Sequence, residues 1–484
     1  MGKQKNVLLI TVDQLSAAYI GGYGSREVMT PTLDSLAAGG ILYDNFYSEC
    51  PVCIPARRSL MTGLSPKTHG DRIYNDRLEM PKVTTLAEAF RQNGYQTYAV
   101  GKLHVYPQRN RIGFDDVILM EEGRYEFGGI DDYQIWLGEQ GYTGQEFLHG
   151  MGSNTYYTRP WHLPEFTHPT EFVTREMMKQ IKRKDPCRPA FYYASYQFPH
   201  PPLVPLEIYL HMYETMELEK PVKGDWENSR EILKLLSESG RQYSDREIDR
   251  AKRAYYAQCT HIDYQIRLLI GTLRESGLLE DTIIVFTSDH GEMLFHHEMT
   301  GKRLFYEESA RIPLIISGKP LEEAAGTVDK RLGVLADVMP TLLSLCNIPV
   351  PDSVEGHYLL GEKKRDFLYG EVGEGTKACR MVRKDQYKLI YYPWGNVIQL
   401  FDLKEDPDET RDLSEEVSLK PVVNELIDCL IKNLYGGDLD WIKDGELKGI
   451  PEGGLKKTWD YGLNNQRGYH WPPPSGYKNS GKNG

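Results

Sequence analysis

The stretch NVLLITVD, Asn6–Asp13, decides the fold of this chain. An almost continuous apolar run leads directly into an acidic side chain. Runs of this kind are typical of strands in parallel sheets, because helices cover both faces of such a sheet and bury every side chain of the strand. The sequence therefore predicts that Asp13 stands at the carboxyl end of a central strand.

Similar apolar runs recur along the chain, and helical patterns lie between them. The further predicted strands are Thr97–His104, Ala190–Gln197, Thr282–Ser288 and Ile312–Ser317. The predicted helices are Pro31–Ala38, Thr84–Asn93 and Asp245–Ser276, each followed by a glycine, as is common at helix ends. This alternation predicts an α/β fold in which a large, mostly parallel sheet lies between layers of helices. Ligands of such sheets collect at the carboxyl ends of the strands.

The chain of 484 residues is long enough for more than one domain. We expect a catalytic domain over residues 1–364, in which the Gly- and Tyr-rich excursion 121–170 carries specificity. Strand candidates YKLIYY and VIQLFDL and an amphipathic helix near Val422–Asn433 predict a smaller α+β domain over residues 365–461. Residues 462–484 are expected to form an extended tail through which a homo-oligomer would assemble.

Composition excludes several classes of function. A formal net charge of -12 argues against a nucleic-acid partner, which requires a concentrated basic surface. No apolar run reaches the length needed to span a bilayer, so we expect no membrane partner. The amino-terminal apolar run reaches Asp13 without a cleavage site of small residues, so the cytoplasm is the default expectation for location. Seven scattered cysteines, with Cys50/Cys53 as the one closely spaced pair, favour a reduced interior without disulfides or zinc.

The segment SECPVCIPARRSLMTG, Ser48–Gly63, carries the first chemical signal. Pro55 suits the first turn of a helix, which places Cys53 at the helix mouth, beside its orphan amide groups and the positive end of its dipole. Arg57 lies one turn further on and can return to the same spot. By itself this pattern leaves open whether Cys53 is a buried hydrophobe, a thiol nucleophile, a metal ligand or a precursor of another group.

Other chemistry-bearing side chains end other strands. Asp289 and His290 follow the predicted strand Thr282–Ser288, and with Asp13 they offer oxygen and imidazole ligands that suit Ca²⁺, Mg²⁺ or Mn²⁺ better than a zinc cage. Basic residues reach the same rim, namely Lys102, His104, His200 and Lys302. Each residue has a plainer interpretation as a helix cap, a core histidine or a solvated surface charge. All of those interpretations would have to hold together, which makes a shared site the better hypothesis.

The motifs CIPAR, TVDQ, GKLH, FPHPP and TSDHGEM, followed by Gly301-Lys302, occur over Asn6 to about Gly318. In this combination they resemble the blocks of the type I, formylglycine-dependent sulfatases of the alkaline-phosphatase-like superfamily. The segments QYKLIYY and QLFDLKEDPDET are similar to that family's downstream region. The resemblance implies hydrolysis of aryl, steroid or carbohydrate sulfate esters through a covalent sulfoenzyme. It also implies a maturation enzyme that oxidises Cys53 to formylglycine, whose hydrated aldehyde supplies the attacking oxygen.

The resemblance further implies one divalent metal, with Ca²⁺ as the first choice and Mn²⁺ or Mg²⁺ as alternatives. Its implied ligands are Asp13, Asp289, His290 and the modified Cys53. The remaining implied roles fall to basic residues. Arg57 and Lys102 neutralise the nucleophile, and His104 is the base that collapses the intermediate. His200 and Lys302 grip the sulfate and act on the leaving oxygen.

Two residues are predicted to contact substrate, Gln14 and Asn75, the second balanced against a role in a turn. Gln14 stands where many sulfatases have a second aspartate, which leaves the metal open between Ca²⁺ and Mn²⁺. The combination of Gln14 with His290 also resembles the phosphonate monoester hydrolases and phosphodiesterases of the same superfamily, which are the alternative function. Ala56 replaces a serine often found in the motif, at a variable position. A catalytically silent binder of sulfated glycans is the second alternative.

Overall fold

The computed structural model describes residues 5–123, 129–226, 236 and 243–453. The predicted tail 462–484 lies outside the described residues. The helices are α1 Pro31–Ala38, α2 Cys53–Thr62, α3 Pro66–His69, α4 Leu86–Gln92, α5 Asp132–Glu139, α6 Pro169–Lys182, α7 Glu207–His211, α8 Asp245–Glu275, α9 Glu307–Ala310, α10 Val338–Leu345 and α11 Lys420–Asn433. The strands are β1 Asn6–Asp13, β2 Gly40–Tyr43, β3 Phe46–Tyr47, β4 Gln96–Gly101, β5 Asp116–Leu119, β6 Ala190–Pro199, β7 Thr282–Ser288, β8 Leu314–Ser317, β9 Thr327–Asp329, β10 Gly333–Val334, β11 Leu368–Val372, β12 Cys379–Lys384, β13 Tyr387–Tyr392, β14 Val397–Asp402, β15 Ile442–Lys443 and β16 Glu446–Leu447.

The main sheet has eight strands in the order β5-β4-β6-β1-β7-β8-β2-β9. The block from β5 to β7 is parallel throughout, whereas β8 runs antiparallel to both of its neighbours. Val12 pairs with Ser288, and Gly101 pairs with Ser195, so four parallel strands end at the same edge of the sheet. The structure confirms the predicted fold class and brings the predicted strand ends together.

Helices cover both faces of this sheet. Side chains of β1 alternate between two cores: Leu8 and Ile10 belong to a core shared with α1, α6 and α8, and Val7 and Leu9 belong to one shared with α2, α4 and α10. This is the burial on both sides that the apolar run of β1 predicts. Within the excursion 121–170, Tyr133 and Tyr156 pack into the first core. Its role in specificity stays a prediction.

The smaller antiparallel sheet has the order β11-β12-β13-β14. Leu426 and Leu430 of α11 pack on one face against Leu389, while Ile390 on the other face packs against the large domain. The predicted smaller α+β domain is therefore present, and its exact limits stay a prediction. Among the described residues, no helix combines the length and the apolar character that crossing a bilayer requires.

Buried charge clusters join the two sheets. The side chain of Lys388 on β13 is fully buried, and its Nζ lies 2.7 Å from carboxylate oxygens of both Glu307 and Glu409. Arg72, which follows α3, lies 2.8 Å from both Glu371 and Asp438. Removing one partner of such a pair leaves a buried charge uncompensated, at a cost of about 3–5 kcal/mol. The second domain therefore fixes α9 and the segment after α3, both of which adjoin the edge where the parallel strands end.

Three buried histidines accept backbone N–H groups at Nδ1 and are therefore neutral. The donors are Asp71 for His69 at 3.3 Å, Met151 for His149 at 3.0 Å and Thr170 for His168 at 3.2 Å. Burial lowers the pKa of His69 to about 3 and that of His149 to about 4, and it lowers the pKa of His168 well below its usual range.

We predict that acid weakens the fold through these histidines. Their pKa is lower in the folded than in the unfolded chain, so their stabilising effect is present above pH ~6.5 and is lost as the pH falls toward 4. The loss reaches about 1.4 kcal/mol per pH unit for each histidine. Urea unfolding between pH 7.5 and pH 4.5 measures the slope.

His168→Asn is the matched variant for this prediction. An asparagine at the start of α6 can still accept the N–H of Thr170 but does not titrate over this range. The free energy of unfolding of the variant should depend less steeply on pH by about one proton. An unchanged slope would contradict the assignment.

Candidate active site

Four donor groups converge at the carboxyl edge of the parallel strands. Asp13 ends β1, Cys53 begins α2, and Asp289 and His290 follow β7. One ligand atom from each of them lies within 4.8 Å of all the others, and all four side chains are buried. The structure thus assembles the complete set of metal ligands that the sequence predicted.

Cys53 occupies the helix mouth as predicted. Its Sγ lies 3.1 Å from His290 Nε2 and 3.7 Å from Asp13 Oδ1. Burial and Asp13 raise the pKa of the Cys53 thiol, but Lys302, Lys102 and His290 outweigh them and lower it overall. Position 53 is therefore a place where negative charge is stabilised, which is what an attacking oxygen at this position requires.

Arg57 holds the opposite side of the cluster. Its Nε donates to Asp289 Oδ2 at 2.9 Å, and one guanidinium nitrogen donates to the carbonyl of Lys102 and to Ser195 Oγ at 2.9 and 2.8 Å. The terminal nitrogen on the other arm lies 3.6 Å from Asp13 Oδ2. The rigid fork of the guanidinium thereby links three strand ends.

Lys102 pairs with two carboxylates, Asp13 and Glu122, with 2.6 Å from its Nζ to Glu122 Oε1. Burial opposes ionisation of Asp13, but Lys102 and Arg57 prevail and hold the pKa of Asp13 well below its usual range. Asp13 is therefore a carboxylate, the form that binds a hard cation.

His104 lies in the loop after β4 rather than in the strand itself, because the strand ends at Gly101. Its backbone has a φ of 60°, and the N–H groups of Leu103 and His104 both donate to Glu121 Oε1, at 2.7 and 2.9 Å. The ring Nε2 lies 3.2 Å from the hydroxyl of Tyr74. Glu121 therefore determines how the loop presents His104.

His200 and Lys302 form the remaining side of the site. Lys302 Nζ lies 2.8 Å from His200 Nε2 and donates to Gln14 Oε1 at 2.6 Å. Burial and Lys302 lower the pKa of His200 well below its usual range, so the ring is neutral. Its Nδ1 lies 2.5 Å from the carbonyl of Pro201, which places the proton on Nδ1 and leaves Nε2 to accept from Lys302.

Asn75 is exposed, in the loop that carries Tyr74. Its side-chain oxygen accepts the N–H of Arg77 at 3.2 Å, and its own N–H donates to Asp71 at 3.0 Å. This is the turn-forming role that the sequence also allowed. A contact of Asn75 with substrate stays a prediction.

His290 presents Nε2 to the cluster, since its Nδ1 lies 3.0 Å from the carbonyl of Gly291. Such a hydrogen bond fixes the orientation of the ring and is usual for metal-binding histidines. Burial opposes protonation, but Asp289 and Cys53 raise the pKa of His290 to about 9. The cluster thus attracts positive charge, and two carboxylates with one imidazole fit a divalent cation that prefers oxygen ligands.

Sequence reasoning missed three acidic residues of this site, Glu121, Glu122 and Glu292. The first two follow β5, a short strand that was not among the predicted strands. An acidic pair shortly after an apolar run is the feature of the sequence that could have indicated them. Glu292 lies in the TSDHGEM motif, and its buried carboxylate accepts a hydrogen bond from Gln14.

Comparison with protein families identifies this arrangement. The family model described as Sulfatase matches residues 5–348, well over half of the chain. The chain belongs to the sulfatase family. A second model, described as the C-terminal part of N-sulphoglucosamine sulphohydrolase, matches residues 295–434.

Individual sulfatases are similar over nearly the whole chain. An arylsulfatase of Clostridium perfringens is 36% identical over 478 residues, covering 93% of this chain and 99% of the relative. A choline-sulfatase of Rhizobium meliloti is 28% identical and covers 85% of this chain and 82% of its own length. The crystal structure of a phosphonate monoester hydrolase of Agrobacterium radiobacter superposes with a TM-score of 0.77 at 22% identity, covering 89% of this chain and 95% of that one, which shows a shared fold.

The protein is therefore a sulfuric ester hydrolase with the alkaline-phosphatase-like sulfatase fold. Membership of the family implies a divalent metal and a formylglycine residue. The buried cluster of Asp13, Cys53, Asp289 and His290 fits both requirements.

We predict that a divalent cation stabilises the protein through this cluster. Cation at about a hundred times its Kd should raise the free energy of unfolding by about 2.7 kcal/mol, because the unfolded chain lacks the site. Thermal unfolding of chelator-treated protein, with and without added cation, measures the effect.

Asp289→Asn removes one anionic ligand and should abolish most of the cation-dependent shift in Tm. Asp116→Asn, at the exposed start of β5, is the matched control and should keep the full shift. Equal shifts in the two variants would show that the cation binds elsewhere.

Proposed function

We propose that this sulfatase hydrolyses aryl sulfate monoesters, with Ca²⁺ as its metal and with formylglycine formed from Cys53. The observation that carries the proposal is the position of Cys53 between the anionic donors Asp13 and Asp289 and the cations Lys102 and Lys302. The arylsulfatase relative at 36% identity supports the class of alcohol. Two carboxylates in a fully buried site support a hard cation such as Ca²⁺.

Asp13, Asp289, His290 and residue 53 would hold the metal. When bound, the cation would supply positive charge that favours the deprotonated nucleophile and polarises the sulfate. Formylglycine supplies a hydrated aldehyde oxygen in place of the thiol.

Other residues of the chain orient the side chains around residue 53 and neutralise their charge. Arg57 keeps Asp289 in place through its 2.9 Å hydrogen bond, and Lys102 compensates the charge of Asp13. His104 is held by Glu121 at the same rim and is the proposed base. These groups are placed before substrate arrives, so little reorganisation accompanies the reaction.

Lys302 and His200 are the proposed contacts to the sulfate and to the leaving oxygen. In the resting protein Lys302 donates to the neutral His200 ring, so the mobile protons of this pair belong to the ammonium group. Stabilising the departing oxygen matters most for alcohols that leave poorly as anions.

A maturation enzyme is the proposed partner. The side chain of Cys53 is 1% exposed, and the whole of α2 is buried. Oxidation of this residue therefore has to precede the packing of α2, while the CIPAR segment is still accessible.

Phosphonate monoester hydrolysis is the second candidate. The occurrence of Gln at position 14 together with His at position 290 favours it, and a hydrolase of that class shares the fold. Aryl sulfates and phosphonate monoesters are both monoanionic, so the number of cations in the site does not separate them.

Kinetics on fully matured protein test the proposal. We expect kcat/KM for an aryl sulfate to exceed that for the matching aryl phosphonate monoester, and Cys53→Ala to lose at least about 10³-fold. Peptide mass analysis should find sulfur replaced by an aldehyde oxygen at residue 53. A phosphonate preference, or full activity of Cys53→Ala, would overturn the proposal.

A leaving-group series tests the assignment of Lys302 and His200. We predict that Lys302→Met and His200→Gln each lower kcat by about 10²–10⁴-fold for alkyl or sugar sulfates, whose oxygens need a proton. The loss should be much smaller for nitrophenyl sulfate, whose phenolate leaves without help. Steady-state rates across substituted phenols give the dependence.

An equal loss for every leaving group would refute the contact to the leaving oxygen and leave only a contact to the sulfate. Asn75→Ala provides a control from the same rim of the molecule. Whatever its effect on KM, it should not steepen the dependence of kcat on the leaving group.

A further inference from the structure

Glu292 is a fully buried carboxylate to which the proposed function gives no role. Each of its oxygens has a distinct set of partners. Oε1 accepts the backbone N–H groups of Leu294 and Gly301 at 2.7 and 2.8 Å. Oε2 accepts the hydroxyl of Tyr156 at 2.7 Å and the side-chain amide N–H of Gln14.

The contact with Gln14 determines which way its amide faces. An amide has one end that donates and one that accepts, so the end near the Glu292 carboxylate must be the NH₂ group. The oxygen then points to Lys302, whose Nζ lies 2.6 Å from it. The backbone of Gln14 is fixed as well, because its N–H donates to Asp289 and its carbonyl accepts from Tyr255.

The chain of contacts ends at the leaving-group side of the site. Lys302 Nζ touches both Gln14 Oε1 and, at 2.8 Å, His200 Nε2. If the amide of Gln14 were reversed, its NH₂ group would face the ammonium of Lys302. The ammonium would then lose one of the two acceptors that fix its position beside His200.

We propose that Glu292 is a positioning residue: by accepting a hydrogen bond from Gln14, it turns the amide oxygen toward Lys302 and holds that ammonium beside His200. The inference rests on the proposed function to the extent that Lys302 acts on the sulfate ester. The hydrogen-bonded chain itself is a property of the folded protein.

A purely structural role for Glu292 is the competing explanation. Through Oε1 it ties together the two ends of the loop 292–301, and Lys302 follows directly. Because loop closure uses one oxygen and the contact with Gln14 uses the other, substitutions can separate the two roles.

Glu292→Gln is the first variant. Its remaining oxygen can keep the two backbone N–H groups, which forces its NH₂ toward Gln14 and reverses the Gln14 amide. We expect kcat/KM to fall about 10–100-fold, as for other residues that orient groups of an active site. Tyr156→Phe removes the other side-chain donor to the same oxygen, together with a long 3.4 Å contact to Gln14 Nε2, but it keeps the hydrogen bond between Gln14 and Glu292 and should stay within about threefold of the wild type.

The double variant Gln14→Glu/Glu292→Gln exchanges acid and amide without changing the net charge. The carboxylate at position 14 then accepts both from the amide at position 292 and from Lys302. We expect it to recover at least about tenfold in kcat/KM over Glu292→Gln, whereas Gln14→Glu alone sets two carboxylates against each other and stays impaired. Loop closure alone gives no reason for this rescue.

Crystal structures supply a readout that does not depend on activity. Lys302 Nζ should leave hydrogen-bond distance of His200 Nε2 in Glu292→Gln and return to it in the double variant. Absence of sulfatase activity in the wild type would refute the proposed function and leave this comparison intact. Should Glu292→Gln fail to fold in urea titrations, Gln14→Glu tests the same link with the loop bonds of Glu292 preserved.

Three results would overturn the inference. They are a folded Glu292→Gln with wild-type kcat/KM, an unchanged Lys302 position in that variant, and a double variant that is no better than the single one.

Discussion

The whole site depends on charge compensation around Asp13, a carboxylate with no exposure to solvent. An isolated buried charge is too costly to persist, so it must be paired. Lys102 and Arg57 provide the pairing, and each of them also contacts a second carboxylate, Glu122 or Asp289. The ends of β1, β4, β5 and β7 therefore supply charges that are stable only because their neighbours are present. The same balance leaves a cluster of donors that attracts a divalent cation.

The second domain contributes to this balance from outside. Lys388 pairs with Glu307 on α9, and Asp438 binds Arg72 just before Tyr74, which contacts His104. Two segments that border the site are thereby attached to the antiparallel sheet. The smaller domain supplies none of the predicted site residues, but through these ion pairs it holds in place the segments that border the site.

Most of the metal cluster was predictable from the chain itself. Asp13 and the Asp289-His290 pair each follow an apolar run, and parallel strands must end at one edge, so their convergence follows from local pattern and topology. The position of Cys53 at a helix mouth was predictable because Pro55 marks the first turn of a helix, whereas its place in the cluster was implied by the resemblance to the sulfatases. Glu121 and Glu122 were not, because the strand before them has only four residues and leaves its first three only partly covered or exposed, and its signal is too short to separate from a loop. Asn75 shows the opposite difficulty: asparagine is common both in turns and in binding sites, so the sequence could not separate the two roles.

The sequence by itself determined the class of fold, which strands end in charged residues, and the residue types that make this protein a sulfatase. Local hydrophobic pattern encodes the strands and helices, short motifs carry the residue types, and each of these signals is contained within a few neighbouring residues. Only the tertiary structure decided the hydrogen-bond partners in the site. Gln14 donates to Glu292 and accepts from Lys302, and Nε2 of His200 accepts rather than donates. These contacts join residues far apart in the chain, and their direction depends on hydrogen-bond geometry that exists only once the core has packed.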